Sequence, residues 1–341
     1  MIKSPQLRLA SKEVKSISLI SGKMNTNRSC GCKSFNTCYV CENELGIVKE
    51  DAGKLRLAQF VHTYTYCPES ETIVIQDGKE DNRGGLKFPG FMLIRDFVSE
   101  AEESRLISSL DLLPWDTSQS GRRKQNFGPK ANFKKRKAKS GDFRGFPDCT
   151  KFIQDRFSTV PILSGYKTVE QCSIEYRPDT GSCIEPHIDD CWIWGERIVQ
   201  LNLLSSSFLT LFPAHLSEES KRYNLPDVDT YPKILDPVSQ SVLFNPFDDK
   251  LKNTAQDVEP YRRRRGKCAV EGAVRVPLPR RSLLVMFDEP RYDWEHCVLR
   301  EDIVDRRIVV AYREFTPTYL PGGREEDFGK GILKTAENFW E

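Results

Sequence analysis

Apolar residues recur in short bursts along this chain, and the bursts change period partway through. Leu106, Ile107 and Leu110 share one side of a helix, and Ser99 followed by Glu102 has the order of a capping box at its start. Phe152, Ile153 and Phe157 stand at helical spacing and predict a second helix over 150–158. Phe91-Met92-Leu93-Ile94 is a short extended run near the point, about Phe88, where a compact domain is expected to begin. Beyond these helices the period becomes that of strands, predicted at 169–176, 197–204, 207–212, 242–245, 282–287 and 307–313. Many of these runs end in Pro, Gly or polar clusters. Helices first and many strands afterwards predict a mainly β chain with supporting helices, its sheets antiparallel and paired in a jelly-roll-type architecture. No internal repeat is visible.

Two regions break this rhythm. Residues 119–145 are basic, studded with aromatics and poor in aliphatics, which suggests a lid or recognition loop. Residues 214–272 hold acidic patches, several prolines and the run Arg262-Arg263-Arg264-Arg265, and read as an insertion. The flanks divide further. Residues 1–29 are a polar, Ser/Lys-rich tail, 30–45 a cysteine-rich segment, 46–87 an extended linker, 88–320 the main domain and 321–341 a C-terminal tail. A length of 341 residues is enough for roughly two domains. The net charge of +2 is too small to argue for nucleic acid by itself. No apolar run has the length of a signal peptide or a membrane span, so the expected compartment is cytoplasmic, nuclear or both, with no membrane partner. The pattern does not specify an oligomeric state.

The chemistry is concentrated in a few residues. The chain has four histidines. His187 and Asp189 are two apart, so in an extended segment both side chains face one way and can reach one ion. His296, in Tyr292-Asp293-Trp294-Glu295-His296-Cys297, is the candidate third ligand. Two imidazoles and one carboxylate on one face of a metal leave three positions open, which suits a non-haem Fe(II) oxygenase. Asp190 is a rival ligand, but its offset turns it to the opposite face of an extended chain. Arg307 and Arg313 flank a buried-looking strand and share a face, with Arg306 turned the other way. Buried guanidiniums call for anions, and a small dicarboxylate beside the metal would provide two. Six residues of strand span about 20 Å, so the two side chains must converge if they serve one ligand.

Cys30, Cys32, Cys38 and Cys41 crowd into twelve residues, while the other seven of the 11 cysteines are scattered. Four thiolates suit a structural Zn(II); a non-metal role and an iron–sulfur cluster are the alternatives. Arg122, Arg123, Lys124, Phe127, Lys130 and Phe133 lie in the basic stretch and are candidates for contact with a polyanionic substrate, although a solvated loop or a localisation signal fits the same composition. Trp192 and Trp194 are candidate walls for a methylammonium group, or else core packing.

The order His-x-Asp, His, Arg-x5-Arg resembles the AlkB family of Fe(II)/2-oxoglutarate dioxygenases. CGCKSFNTCYVCE, RRKQNFGPKANFKKRK and PHIDDCWIWGERIVQLNLLS are similar to its fourth animal subgroup, and the likeness covers most of the chain. The resemblance implies a double-stranded β-helix. It implies His187, Asp189 and His296 as iron ligands, Arg307, Arg313 and Tyr176 as 2-oxoglutarate contacts, and Fe(II), 2-oxoglutarate and O2 as cofactors and cosubstrates. Ser173 stands where the family often carries an asparagine. The implied activity is oxidative N-demethylation with release of formaldehyde and succinate. The implied substrate is a methyl-lysine protein, with actin suspected, or alternatively a methylated DNA or RNA base such as N6-methyladenine. A zinc-bearing adaptor with a scaffold oxygenase domain is a reading of another class, and the intact triad argues against it.

Overall fold

A computed structural model of the chain describes residues 28–33, 36–75, 85–214, 223–248, 251, 260–261 and 270–341. Nearly all of the expected tail 1–29, the arginine run 262–265 and much of 214–272 lie outside the described residues.

Eight strands form the jelly roll: β1 (Glu170–Tyr176), β2 (Ile184–His187), β3 (Trp194–Leu203), β4 (Ser207–Pro213), β5 (Ala273–Leu278), β6 (Leu283–Met286), β7 (Trp294–Val298) and β8 (Arg307–Phe315). One sheet runs β6-β3-β8-β1 and the other β2-β7-β4-β5, every pair antiparallel. The chain crosses from one sheet to the other at every step except β4 to β5, which gives the double-stranded β-helix implied by the family resemblance.

Strand periodicity explains the two cores. Along β6, Leu284 and Met286 join the core between the sheets, while Leu283 and Val285 join a second core outside them. The outer core exists because the helices Glu100–Leu112 and Lys151–Arg156 cover that face with Leu106, Ile107, Leu110 and Ile153. The sheet β6-β3-β8-β1 is therefore covered on both sides, and β6 and the middle of β8 read as nearly continuous apolar runs. Each fully buried aliphatic side chain there stabilises by roughly 1.5–3 kcal/mol. Placing aspartate at Val310, which lies under the helices at 0% exposure, would bury an unpaired charge and break that layer. The Ser99 capping box is present, with both reciprocal hydrogen bonds made.

The structure corrects several expectations. Residues 242–245 form no strand; Val242 makes only an isolated bridge to Leu235. The 46–87 segment is more than a linker, because Thr63–Cys67 pairs in parallel with β5 and carries Thr72–Ile75 on its other edge. The C-terminal segment is likewise ordered: helix Glu326–Thr335 inserts Ile332 into the inner core, and Phe339–Trp340 pairs with Phe146–Pro147. Within the basic stretch, Arg123–Phe127 extends the first sheet beside β1, and Lys130–Asn132 pairs with Lys137–Lys139 as a hairpin. Among the described residues no helix is long and apolar enough to cross a membrane.

Candidate metal centre

The two candidate histidines are cross-strand neighbours. β2 pairs with β7 in the register His187↔His296, and the ring centroids lie 4.3 Å apart. Asp189 follows β2 by two residues and brings Oδ2 to 3.8 Å from His296 Nε2. One ligand atom from each of the three lies within 4.8 Å of the others. Cross-strand pairing thus does what sequence separation hides: it places two imidazoles and a carboxylate where one ion can take all three.

The protonation states suit a metal. Burial holds both imidazoles below the ordinary histidine value, so they are neutral and have a free lone pair. The Glu185 carbonyl sits 2.8 Å from His187 Nδ1, which places the proton there and leaves Nε2 for the metal. Burial alone would raise the Asp189 carboxyl, but the Arg313 guanidinium beside it outweighs that and keeps Asp189 well below the usual carboxylate range. Asp190 stays out of the ligand set, accepting a 2.6 Å hydrogen bond from Asn224 Nδ2.

The two arginines have different partners. Arg307 is opposite Tyr176 in the β1–β8 register, with its guanidinium 5.0 Å from the Tyr176 ring centre. It is 1% exposed, donates from Nε to Asn202 Oδ1 at 2.6 Å, and leaves Nη1 with no hydrogen-bond partner among the described residues. Burial pushes this cation below its ordinary value. A buried guanidinium with an open edge and no carboxylate paired to it among the described residues fits an acid from outside the chain, which is what a keto acid's remote carboxylate offers. Arg313 is already engaged. It donates to Asp189 Oδ1 from Nε at 3.0 Å, with Nη2 2.9 Å from the same oxygen, and to Glu170 Oε2 from Nη1 at 2.6 Å. Arg306 faces the other way, as expected, and pairs with Glu175 and Asp111. Ser173, one residue off the Glu170, Cys172, Ile174, Tyr176 face, points away from Arg307, and the amide that meets Arg307 belongs to Asn202.

A cavity of about 400 Å³ opens beside the triad, lined by His187, Asp189, Asp190, Trp194, Tyr223 and, from the basic hairpin, Phe133 with Lys134. Of the two candidate tryptophans only Trp194 reaches it. Trp192 is buried 6.3 Å from Tyr319 and belongs to the core. A second cavity of about 610 Å³ lies under the hairpin, sharing Phe133 and reaching Lys124, Phe127, Lys130, Glu170 and Trp340. Phe127 meets Trp340 edge-on there, and Lys130 pairs with Asp142 at 2.6 Å. Arg122 and Arg123 line neither cavity. Arg122 donates to the Gln119 carbonyl, and Arg123 pairs with Glu175 beneath Trp115, so both brace the sheet edge.

Sequence reasoning missed Asn202, Glu170, Tyr223 and Arg291. Arg291, fully buried, donates to the carbonyls of Asp189, Trp194 and Gly195 and so staples the loop that carries the carboxylate ligand. An inward-facing polar residue within an apolar run was a readable signal for Asn202; nothing in the pattern marked Arg291.

No protein-family model matches the chain. It is 38% identical over 317 residues to alpha-ketoglutarate-dependent dioxygenase alkB homolog 4 of Homo sapiens, covering 92% of this chain and 94% of that protein. The Mus musculus protein of the same name is 34% identical over 312 residues, covering 92% and 95%. A Caenorhabditis elegans protein named DNA N6-methyl adenine demethylase is 29% identical over 330 residues, covering 91% and 95%. Likeness along almost the whole length joins a triad that fits Fe(II) and an arginine that fits 2-oxoglutarate, and the chain belongs to the AlkB family of Fe(II)- and 2-oxoglutarate-dependent dioxygenases.

Proposed function

We propose that the chain is an oxidative N-demethylase acting on methylated lysine in a protein, an actin-like one in the first instance. The observation that carries this reading is the lining of the opening beside the triad: the aromatic faces of Trp194, Tyr223 and Phe133 and the carboxylate of Asp190, with Lys134 as the one cation among them. Aromatic faces and a carboxylate favour a cation, and a methylated lysine keeps its charge. When bound, iron, keto acid and O2 would supply oxidation of the N-methyl carbon, which leaves as formaldehyde, while 2-oxoglutarate is decarboxylated to succinate and CO2.

The chain's own residues do the positioning. His187, Asp189 and His296 would hold the metal. Arg313 fixes one oxygen of Asp189 and Arg291 fixes its backbone. Arg307, steadied by Asn202, would hold the far carboxylate of the keto acid. Trp194 and Tyr223 wall the opening beside the triad and would hold a narrow side chain there.

One observation favours a second reading, a methylated nucleic-acid base. Phe133 is 51% exposed on a hairpin that also presents Lys134, Lys135, Lys137 and Lys139, a stacking ring among cations. The C. elegans relative's name points the same way for that protein. Formaldehyde release under Fe(II) and 2-oxoglutarate decides, with methyl-lysine actin set beside N6-methyladenine DNA and RNA at low and high salt. The lysine reading expects turnover of the protein with weak salt dependence. Turnover of nucleic acid alone, falling steeply with salt, overturns it.

A further inference from the structure

We propose that Cys30, Cys32, Cys38 and Cys41 bind a single structural Zn(II), and that this site clamps together the ends of the two strands that carry His187 and His296. The four sulfurs converge, one from each residue, to within 4.8 Å of one another, and three of the four cysteines are buried. Cys38 Sγ and Cys41 Sγ stand 4.0 Å apart. A tetrahedron with Zn–S bonds of about 2.3 Å has edges of about 3.8 Å, so little movement closes the site.

The surroundings are built for thiolate. The Cys38 amide donates to Cys41 Sγ at 3.3 Å and the Ser120 amide to Cys32 Sγ at 3.2 Å. Backbone N–H groups aimed at sulfur steady the charge a metal-bound thiolate carries. Gly31 is required between the first pair, because a Cβ there would stand 2.6 Å from the Ser118 carbonyl oxygen. Binding displaces the thiol protons to solvent and involves no redox change.

The cluster is welded to the jelly roll at one place. On one side, the loop whose Ser120 amide donates to Cys32 Sγ is held by Thr180 and Ser182, which donate to the Gly121 carbonyl, and by the Cys183 amide, which donates to the Ser120 carbonyl, just before β2 begins. On the other, Arg300, just past the end of β7, donates to Glu42 at 2.7 and 3.1 Å and to the Thr37 carbonyl at 3.1 Å. Its guanidinium also lies 5.0 Å from the Tyr39 ring centre. In the β2–β7 pair, Ile184 opposes Val298 at this end and His187 opposes His296 further in. The cysteine segment therefore bridges the open end of the strand pair whose register sets the distance between the imidazoles. A bound metal would add its binding energy to the folding of a segment too small to form a core of its own.

The test uses the full chain, purified without chelator, and measures metal content by mass spectrometry. We expect about one zinc per chain that survives dialysis against a chelator strong enough to strip iron. The double substitution Cys38→Ser/Cys41→Ser should remove it, and Cys67→Ser should leave it in place. Cobalt substitution of the unmutated chain, which does not depend on a variant folding, should give the intense thiolate-to-cobalt absorption of a tetrathiolate site. Retention of zinc in the double variant, or iron with acid-labile sulfide in its place, overturns the assignment. The clamp is read separately. When zinc is withdrawn by a thiol reagent, hydrogen exchange in Ile184–His187 and Trp294–Val298 should quicken and Mn(II) affinity at the triad should fall at least about tenfold. Unchanged exchange and unchanged Mn(II) affinity overturn the clamp.

Discussion

Replacing Arg307 by methionine separates cosubstrate binding from folding more cleanly than any other change in this site. The guanidinium is buried, with Asn202 as the acceptor on Nε, Tyr176 beside it, and an open Nη1 edge among the described residues. Two charge-assisted hydrogen bonds to a carboxylate contribute about 1.5–3 kcal/mol each, or about 3–6 together. At about 1.4 kcal/mol per decade, the variant's affinity for 2-oxoglutarate falls roughly a hundred- to ten-thousand-fold. The keto acid's other contacts put the outcome nearer the lower figure. Folding responds differently. Losing the donor to Asn202 costs about 1–3 kcal/mol, while removing a buried cation with no counter-ion offsets much of that, so stability without ligand changes by no more than about 2 kcal/mol. Calorimetric titration with 2-oxoglutarate in the presence of Mn(II) measures the affinity, and thermal unfolding measures stability with and without ligand. Keto acid at a hundred times the wild-type Kd should stabilise wild type by about 2.7 kcal/mol and a hundredfold-weakened variant by only about 0.4. Arg307→Lys, which keeps the charge and loses the fork, should fall between the two. If Arg307→Met binds 2-oxoglutarate within about threefold of wild type, the buried guanidinium is not the keto acid's anchor.

Other expectations follow from the same geometry. Asp189→Ala should abolish 2-oxoglutarate turnover and triad metal binding; measurable succinate formation would remove Asp189 from the ligand set. Burial lowers the pKa of both His187 and His296, so between the depressed folded values and the ordinary value of 6.5 the unfolded chain binds more protons than the folded one. Stability of the metal-free chain should therefore rise with pH through that window and decline on titration from about pH 8 to about pH 5.5, and His187→Gln/His296→Gln should flatten the slope seen by thermal unfolding. Asp190→Asn should raise KM for a methyl-lysine protein about tenfold and leave KM for a neutral methylated base nearly unchanged; equal effects on both would detach Asp190 from cation recognition.

Strands whose neighbours cover both faces were legible in the sequence. β8 and β6 are nearly unbroken apolar runs because helices seal their outer side. β2 and β7 were not legible, although they carry the triad. Pro186 interrupts β2, and β7 is Trp-Glu-His-Cys-Val, where Glu295 is buried against Tyr223 and Arg56. Burial of polar residues through partners remote in sequence defeats any reading by hydrophobic period. The metal ligands themselves were legible, because His-x-Asp spacing and the scarcity of histidine restrict the choices. The walls were not. Trp192 and Trp194 look alike in sequence, yet one packs on Tyr319 and the other borders the cavity. The 46–87 segment looked like a linker because Thr63–Cys67 finds its partner in β5, some two hundred residues later.

The spacing of Arg307 and Arg313 posed a problem of reach that the structure removes, since the two side chains have different first partners. Arg313 spans Asp189 and Glu170, so its charge is already balanced, and it fixes Oδ1 of Asp189 while Oδ2 faces His296. That division leaves one oxygen for the metal and holds the carboxylate from rotating to chelate with both. Arg313 is thus a positioning residue for the metal ligand, whereas Arg307 is free for the keto acid. Their variants should then separate. Arg313→Gln should weaken Mn(II) binding about ten- to a hundredfold, the usual effect of losing a group that orients a ligand. Arg307→Met should leave Mn(II) affinity within about threefold of wild type while 2-oxoglutarate affinity collapses. The conservative Arg313→Lys keeps the charge but cannot span both carboxylates, so it should recover only part of the metal affinity. Should Arg313→Gln bind Mn(II) as wild type does, the orientation of Asp189 owes nothing to that guanidinium and the division between the two arginines fails.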